Sequence, residues 1–228
     1  IRACHVRGSF ECKDNLPPPV STRQLMEEPA AFDYVRLAHP PVTFRHEKLK
    51  VEERIPAARR YIAENKLNEQ FGDPNGEVGI IVQGGLYNTL IRSLQQFGAA
   101  DAFGTPAVPL LVLNVTFPLV PEEVTAFCAG KRAVMIIEEG QPEYIEQEIA
   151  TMLRRRDLNT ALHGKDMMPA VGECTAEAMV DALGAFLGQY QSHPGVASAR
   201  AWLDANTELR QSVAGRLTEP LPGRPPSF

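Results

Sequence analysis

Two adjacent glutamates, Glu138 and Glu139, follow the apolar run Ala133-Val-Met-Ile-Ile and stand directly before Gly140-Gln-Pro-Glu. Paired carboxylates have two chemical uses at such a point. They can act as general acid and base if both converge on one substrate, or one can accept hydrogen bonds from the backbone donors that open the next helix. Neighbouring residues at a strand end point in different directions, which works against convergence. One carboxylate is therefore expected to cap the helix opened by Pro142, leaving the other to meet a ligand or a partner domain's arginine. Earlier in the chain, Val78-Gly-Ile-Ile-Val-Gln runs into Gly84-Gly-Leu-Tyr-Asn. A dinucleotide-binding fold would place GxGxxG here, but the third glycine is missing. No acidic residue ends the following strand to hold a ribose, and Asn114 stands roughly in its place. Two readings stay open: glycines that let a strand turn into a helix, or a phosphate or carboxylate resting on the helix N-terminus. Gln83, Gly84, Gly85, Asn88, Glu138 and Glu139 are accordingly the candidate crevice residues, at the strand ends where an open parallel sheet binds ligands.

Other reactive side chains are less promising. His5 and His163 have no serine or cysteine arranged beside them as a nucleophile. His163-Gly-Lys-Asp reads as a surface turn before the last strand, with Lys165 solvated. Cys4, Cys12, Cys128 and Cys174 are scattered, without a CxxC pair or histidines at zinc-ligand spacing, and read as free thiols of a reducing cytoplasm. No catalytic residue and no metal ligand is assigned.

The elements that must position these residues follow from composition and periodicity. A hydrophobic fraction of 44% and a charged fraction of 22% suit a globular chain able to bury a core. The net charge of -5, with no basic face, argues against a nucleic-acid partner. Arg154-Arg-Arg fits a helix C-terminus, where cations offset the dipole. Neither a signal peptide nor an apolar run of about eighteen residues is visible, so the expectation is a soluble, cytoplasmic chain with no membrane partner. It begins at Ile1 in what reads as the middle of a structured segment, like a piece of something longer.

Ile1 to Phe10 suggests a short strand, and residues 1–55 otherwise read as a proline-rich linker between Leu16-Pro-Pro-Pro and His39-Pro-Pro, in which regular helix is disfavoured. Helical periodicity starts at Pro56 and fades between Asn65 and Gly72. Apolar strands are expected at Val78 to Gln83, Pro109 to Val115 and Ala133 to Ile137, with a short fourth around Pro169 to Val171. Each is followed by a helix; the last opens at Thr175 and buries Met179, Leu183, Phe186, Leu187 and Tyr190. Residues 191–228 hold one more helix around Trp202 and a second proline-rich linker. This alternation predicts a three-layer α/β/α sandwich with a mainly parallel sheet over 56–190.

A series of motifs in order also resembles one family. Ala133-Val-Met-Ile-Ile-Glu-Glu-Gly-Gln-Pro-Glu-Tyr-Ile-Glu-Gln-Glu-Ile resembles the "vlVvEE..P.iEeqi" stretch of indolepyruvate:ferredoxin oxidoreductases. Gly79-Ile-Ile-Val-Gln-Gly is similar to their "GIItsG", and Asn114-Val-Thr-Phe-Pro-Leu-Val-Pro to their "yPLp". His163-Gly-Lys with Pro169-Ala-Val-Gly-Glu is similar to "GK...lP..GEl". Ile1-Arg-Ala-Cys-His-Val-Arg-Gly resembles the strand that ends the pyrimidine-binding domain. Gly223-Arg-Pro-Pro-Ser-Phe resembles the "RPP.fC.GCPH" junction, cut before its cysteines. The resemblance implies a transketolase C-terminal-like domain lying between a pyrimidine-binding and a pyrophosphate-binding domain, with 1–55 the end of the former and 191–228 leading to the latter. It implies a parent that oxidatively decarboxylates aryl 2-oxo acids to acyl-coenzyme A using thiamine diphosphate, magnesium, [4Fe-4S] clusters and ferredoxin, as a homo- or hetero-oligomer. The segment itself lacks the Gly-Asp-Gly…Asn element and the cluster cysteines, so it is expected to bind none of these cofactors and to be inactive alone. Two alternatives remain: a module binding coenzyme A or a nucleotide at the crevice, and an oligomerisation domain of another thiamine-dependent 2-oxo acid enzyme.

Overall fold

A computed structural model of the chain describes residues 39–214. The expected strand at Ile1 to Phe10 and the proline-rich tail lie outside the described residues. The chain divides into two compact units, Ile1–Glu52 and Glu53–Phe228. In the first, α1 (Val42–Leu49) buries no residue and carries surface ion pairs, including Lys48 with Glu52. This corrects the expectation that helix begins only at Pro56. Pro41 is the N-cap of α1 and Pro56 sits in the first turn of α2 (Ile55–Glu64), beyond a π-helical turn at Lys50–Arg54. Pro41 removes only an N–H group that a helix start leaves unpaired, whereas Pro56 follows directly on the π-helical turn, a local distortion that goes with its missing donor.

The second unit is built on a five-stranded sheet in the order β1-β3-β2-β4-β5. Its strands are β1 (Glu69–Phe71), β2 (Val78–Gln83), β3 (Leu110–Leu113), β4 (Ala133–Ile137) and β5 (Ala161–His163). β2 pairs in parallel with β3 and β4, and β4 with β5, while β1 runs antiparallel along β3. The helices are α3 (Tyr87–Gln96, entered through a 3-10 turn at Gly84–Leu86), α4 (Pro121–Cys128), α5 (Tyr144–Arg155), α6 (Ala176–Tyr190) and α7 (Val196–Ala214). The expected three-layer, mainly parallel α/β architecture is what forms.

Strand alternation assigns the two cores. Ile80, Val82, Leu110, Val112, Met135 and Ile137 face α3, α6 and α7, while Ile81, Leu111, Leu113, Val134 and Ile136 face α4 and α5. Apart from Gln83 at the open end of β2, each side chain on the three central strands is therefore covered from one side or the other. That is why these strands read as unbroken apolar runs. At the end of α3, Gly98 adopts φ +67, its N–H donates to the Gln95 carbonyl, and Ala99 N–H donates to Leu94. This paired closure needs a left-handed residue, which glycine supplies without strain. α5 ends at Arg155, with Arg154 and Arg155 in its last turn, as the dipole argument requires.

Two strands differ from expectation. The segment Pro169 to Val171 is exposed loop, with Val171 79% accessible. Its proline lacks a ladder donor, and the fourth parallel strand is instead Ala161–His163. β1 was not foreseen because Glu-Gln-Phe has no apolar alternation; an edge strand needs none when one side faces water.

Candidate functional site

The carboxyl ends of β2 and β4 meet the start of α5. Glu138 leaves β4 with its side chain turned inward and only 6% of its surface exposed. Its Oε1 accepts from Ile145 N–H at 3.1 Å, and its Oε2 accepts from Ile145 N–H at 3.0 Å and Glu146 N–H at 3.2 Å. These are the orphan donors of the first turn of α5, where negative charge also meets the positive end of the helix dipole. The capping role belongs to Glu138.

The turn after β5 closes over the same point. Lys165 Nζ donates to the Glu138 carbonyl at 2.5 Å, and Lys165 N–H donates to Glu146 Oε2 at 3.0 Å. A Cβ on Gly164 would collide with that Glu146 carboxylate, so a side chain here would have to displace the glutamate tip that Lys165 N–H meets. Lys165 is thus a structural clamp across the end of β4, not the solvated side chain expected from sequence. His163 is the last residue of β5, not a turn residue before it. Its Nδ1 lies 2.6 Å from Asp166 Oδ2 and its Nε2 lies 2.6 Å from the Tyr190 hydroxyl. The ring also packs edge-on against Phe186.

Asp166 follows from this arrangement. Partial burial pulls its pKa upward, but the His163 ring and the Gly164 N–H outweigh that and hold the carboxyl below its ordinary value. A carboxyl depressed in the folded state adds stability above its unfolded pKa, and this is lost as pH falls through the folded value. Urea midpoints of the wild type and Asp166→Asn are therefore expected to differ at pH 6 and to converge towards pH 3. A constant gap would mean that the Asp166 charge does not contribute.

On the β2 side, Gln83 Oε1 accepts from Glu139 N–H at 2.9 Å, which joins the two strand ends. A Cβ on Gly84 would lie 2.6 Å from Asn114 Oδ1, so this glycine serves a close approach as well as a turn. Asn114 itself donates to the Leu67 carbonyl and to Glu69 Oε2, tying β3 to the segment around β1. A cavity of about 720 Å³ opens between these strand ends and α5, with Gln83, Glu138, Glu139, Phe117, Tyr144 and Glu148 in its wall. Of the six sequence candidates, Gln83, Glu138 and Glu139 reach this wall, whereas Gly84, Gly85 and Asn88 lie outside it. Sequence reasoning missed Phe117, Tyr144 and Glu148; the position of Tyr144 on the first turn after Glu138-Glu139 was the one usable signal.

Elsewhere among the described residues nucleophilic and metal chemistry finds little footing. Cys128 is buried and its thiol is pushed up to about 12 by desolvation, so it is protonated and inert at neutral pH. Cys174 is likewise buried and in no disulfide. Among the described residues no three His, Cys, Asp or Glu side chains are grouped as metal ligands, and no helix is long and apolar enough to cross a membrane.

Comparison with known proteins gives the site its context. No protein-family model matches the chain. The chain is similar to the indolepyruvate oxidoreductase subunit IorA of Thermococcus kodakarensis, 28% identical over 187 residues, covering 82% of this chain and 28% of that protein. The subunit IorA of Methanothermobacter thermautotrophicus is 26% identical over 190 residues, again with 82% and 28% covered. A solved structure, a 2-oxoglutarate:ferredoxin oxidoreductase from Magnetococcus marinus, aligns with 65% of this chain and 24% of its own at 16% identity and a TM-score of 0.41. The chain thus spans under a third of the length of the curated relatives it matches. Over about four-fifths of its length, the chain is therefore similar to a segment of the indolepyruvate oxidoreductase subunits.

Proposed function

We propose that this chain is a non-catalytic interdomain module of a thiamine diphosphate-dependent oxidoreductase. The whole enzyme would oxidatively decarboxylate aryl 2-oxo acids such as indolepyruvate, pass electrons through [4Fe-4S] clusters to ferredoxin and transfer the acyl group to coenzyme A in the cytoplasm. Residues 56–190 form the module, and the flanking 1–55 and 191–228 lead to neighbouring thiamine-binding domains of an oligomer. The observation that carries this reading is the engagement of Glu138: the buried carboxylate of the family-like motif caps α5 while Lys165 holds the backbone carbonyl of the same residue, a structural use that leaves no acid–base pair.

The residues at the crevice do not fit thiamine diphosphate. A pyrophosphate needs cations or free backbone donors, and the Ile145 and Glu146 amides at the start of α5 already meet a carboxylate. Calorimetric titration of the chain with thiamine diphosphate and magnesium is expected to show no saturable binding; tight, magnesium-dependent binding would overturn the module reading.

The 720 Å³ cavity favours a second reading, since that volume falls within the range of small-molecule sites. Because the α5 terminus is taken, the phosphates of coenzyme A or a nucleotide would have to reach past Gln83 and the cavity wall to the amides of residues 86–89. A crystal soaked in coenzyme A would show phosphate density there under this reading, and an empty, ordered crevice would dispose of it.

A further inference from the structure

We infer that the crevice at the end of β4 is the seat of a proline-rich strand, and that its occupant is this chain's own stretch Pro220-Leu-Pro-Gly-Arg-Pro-Pro, which lies outside the described residues. This goes beyond the module reading and does not depend on it. Two large aromatic side chains stand at the cavity wall in water, Phe117 at 69% and Tyr144 at 68% exposure. The carboxylates of the same wall are engaged. Glu138 caps α5, Glu148 is paired with Arg59 at 3.8 Å, and Glu139 has a partner of its own. Gln83 Oε1 accepts from the Glu139 N–H, whereas its Nε2 donors and the Tyr144 hydroxyl meet no partner among the described residues.

A wall of aromatic faces and free donors, with its charged acceptors occupied, complements a ligand that brings acceptors and apolar rings. A polyproline II strand is such a ligand. Its carbonyls have no internal partner, its prolines carry no N–H in need of an acceptor, and its rings pack on exposed aromatics. Residues 220–226 hold four prolines in seven positions and a single charge, that of Arg224. Their attachment point also suits the groove. Arg210, in the last part of α7, pairs with Glu177 in the first turn of α6, which follows the Lys165 turn. α7 therefore returns the chain to the carboxyl edge of the sheet, where the crevice opens. Fourteen residues follow Ala214. At about 3.1 Å per residue, a polyproline II strand of that length spans roughly 40 Å.

The test compares nitrogen-15 NMR spectra of the full chain and of a variant combining Pro220→Ser, Pro222→Ser, Pro225→Ser and Pro226→Ser. The amides of Thr116, Phe117, Gln141 and Tyr144 are expected to shift in the variant. Adding acetyl-Glu-Pro-Leu-Pro-Gly-Arg-Pro-Pro-amide to it should return them saturably towards their original positions. The same peptide with alanine for its four prolines should leave them unmoved, and with glutamine for its arginine it should act as well as the parent. Gln83→Glu keeps an oxygen for the Glu139 N–H and removes the free amide donors. Added to the four-serine variant, it should weaken the peptide about fivefold, roughly what one hydrogen bond contributes. An unchanged thermal midpoint verifies the fold; if the midpoint falls, Phe117→Ala at the exposed ring carries the same test. Groove amides indifferent to the loss of the prolines, equal response to the proline and alanine peptides, or a requirement for the arginine would each overturn the inference. So would undiminished peptide affinity in the groove variant, or wild-type groove shifts that move on dilution, which would mean the tail of a second copy.

Discussion

Replacing Glu138 by alanine is expected to lower the unfolding free energy by about 3 kcal/mol, more than any other single change at the sheet's carboxyl edge. The carboxylate is 6% exposed and receives two N–H groups that have no other acceptor in an α-helix. Hydrogen bonds to a buried charge contribute about 1.5–3 kcal/mol each, and removing the acceptor strands the donors in a dry pocket. Glu138→Gln keeps an oxygen for Ile145 and loses the charge at the helix dipole, so about 1 kcal/mol is expected. Glu139→Ala removes no cap, and the Glu139 backbone N–H that Gln83 accepts is kept in the variant, so the loss should stay below about 1 kcal/mol. Urea unfolding of the three variants separates these outcomes. If Glu138→Ala and Glu139→Ala cost the same, the doubled glutamate has no division of labour and the structural reading of the motif fails.

Division of labour between those glutamates was partly legible in the sequence, and the reason is geometric. Alternation along a strand forces neighbours apart, so one carboxylate had to leave the other's environment. The apolar runs Val78 to Gln83 and Ala133 to Ile137 gave strands with the same bounds as those observed, because a strand buried on both faces has no polar interruption. Long-range contacts left no such trace. Lys165 reaches the Glu138 carbonyl across a loop, and a lysine that donates to a distant carbonyl looks in sequence like a lysine in water. β5 was misplaced for the same reason: Ala-Leu-His is too short to show a period, and only pairing with Ala133 to Met135 makes it a strand. The helix from Val42 was missed because proline was read as a breaker, when its position at a helix start makes it compatible. Of the cavity wall, Phe117 was invisible because exposure is a property of the fold, not of residue type, and Tyr144 was signalled only by its place just after Glu138-Glu139.

Gly195→Ala is expected to have the second large effect, about 2–3 kcal/mol, and to show it through the sole tryptophan. Gly195 stands just before α7, where the helix start meets the carboxyl end of α3. A Cβ there would overlap the Phe97 carbonyl and lie 2.8 Å from Phe97 Cα, both backbone atoms. Backbone cannot swing aside as the tip of a side chain does, and Phe97 is held by the glycine-dependent closure of α3 at Gly98. The strain must therefore fall on α7, which docks through the buried Ala199 and the half-buried Trp202 and Leu203, with Ser198 Oγ donating to the Gln96 carbonyl. Either the whole domain loses stability or α7 lifts away while the sheet stays folded. Trp202 emission distinguishes the two: it should shift to the red in native buffer if α7 undocks, and remain blue with a lower urea midpoint if it does not. Gly188→Ala is the matched control, since nothing lies within 4 Å of its would-be Cβ in the last turn of α6. There the helix preference of alanine should raise stability by up to about 1 kcal/mol. An unchanged midpoint and unchanged Trp202 emission in Gly195→Ala would mean that α7 does not rest on α3 through this contact, and that the close approach of the two helices is not what seats the carboxyl-terminal helix on the core.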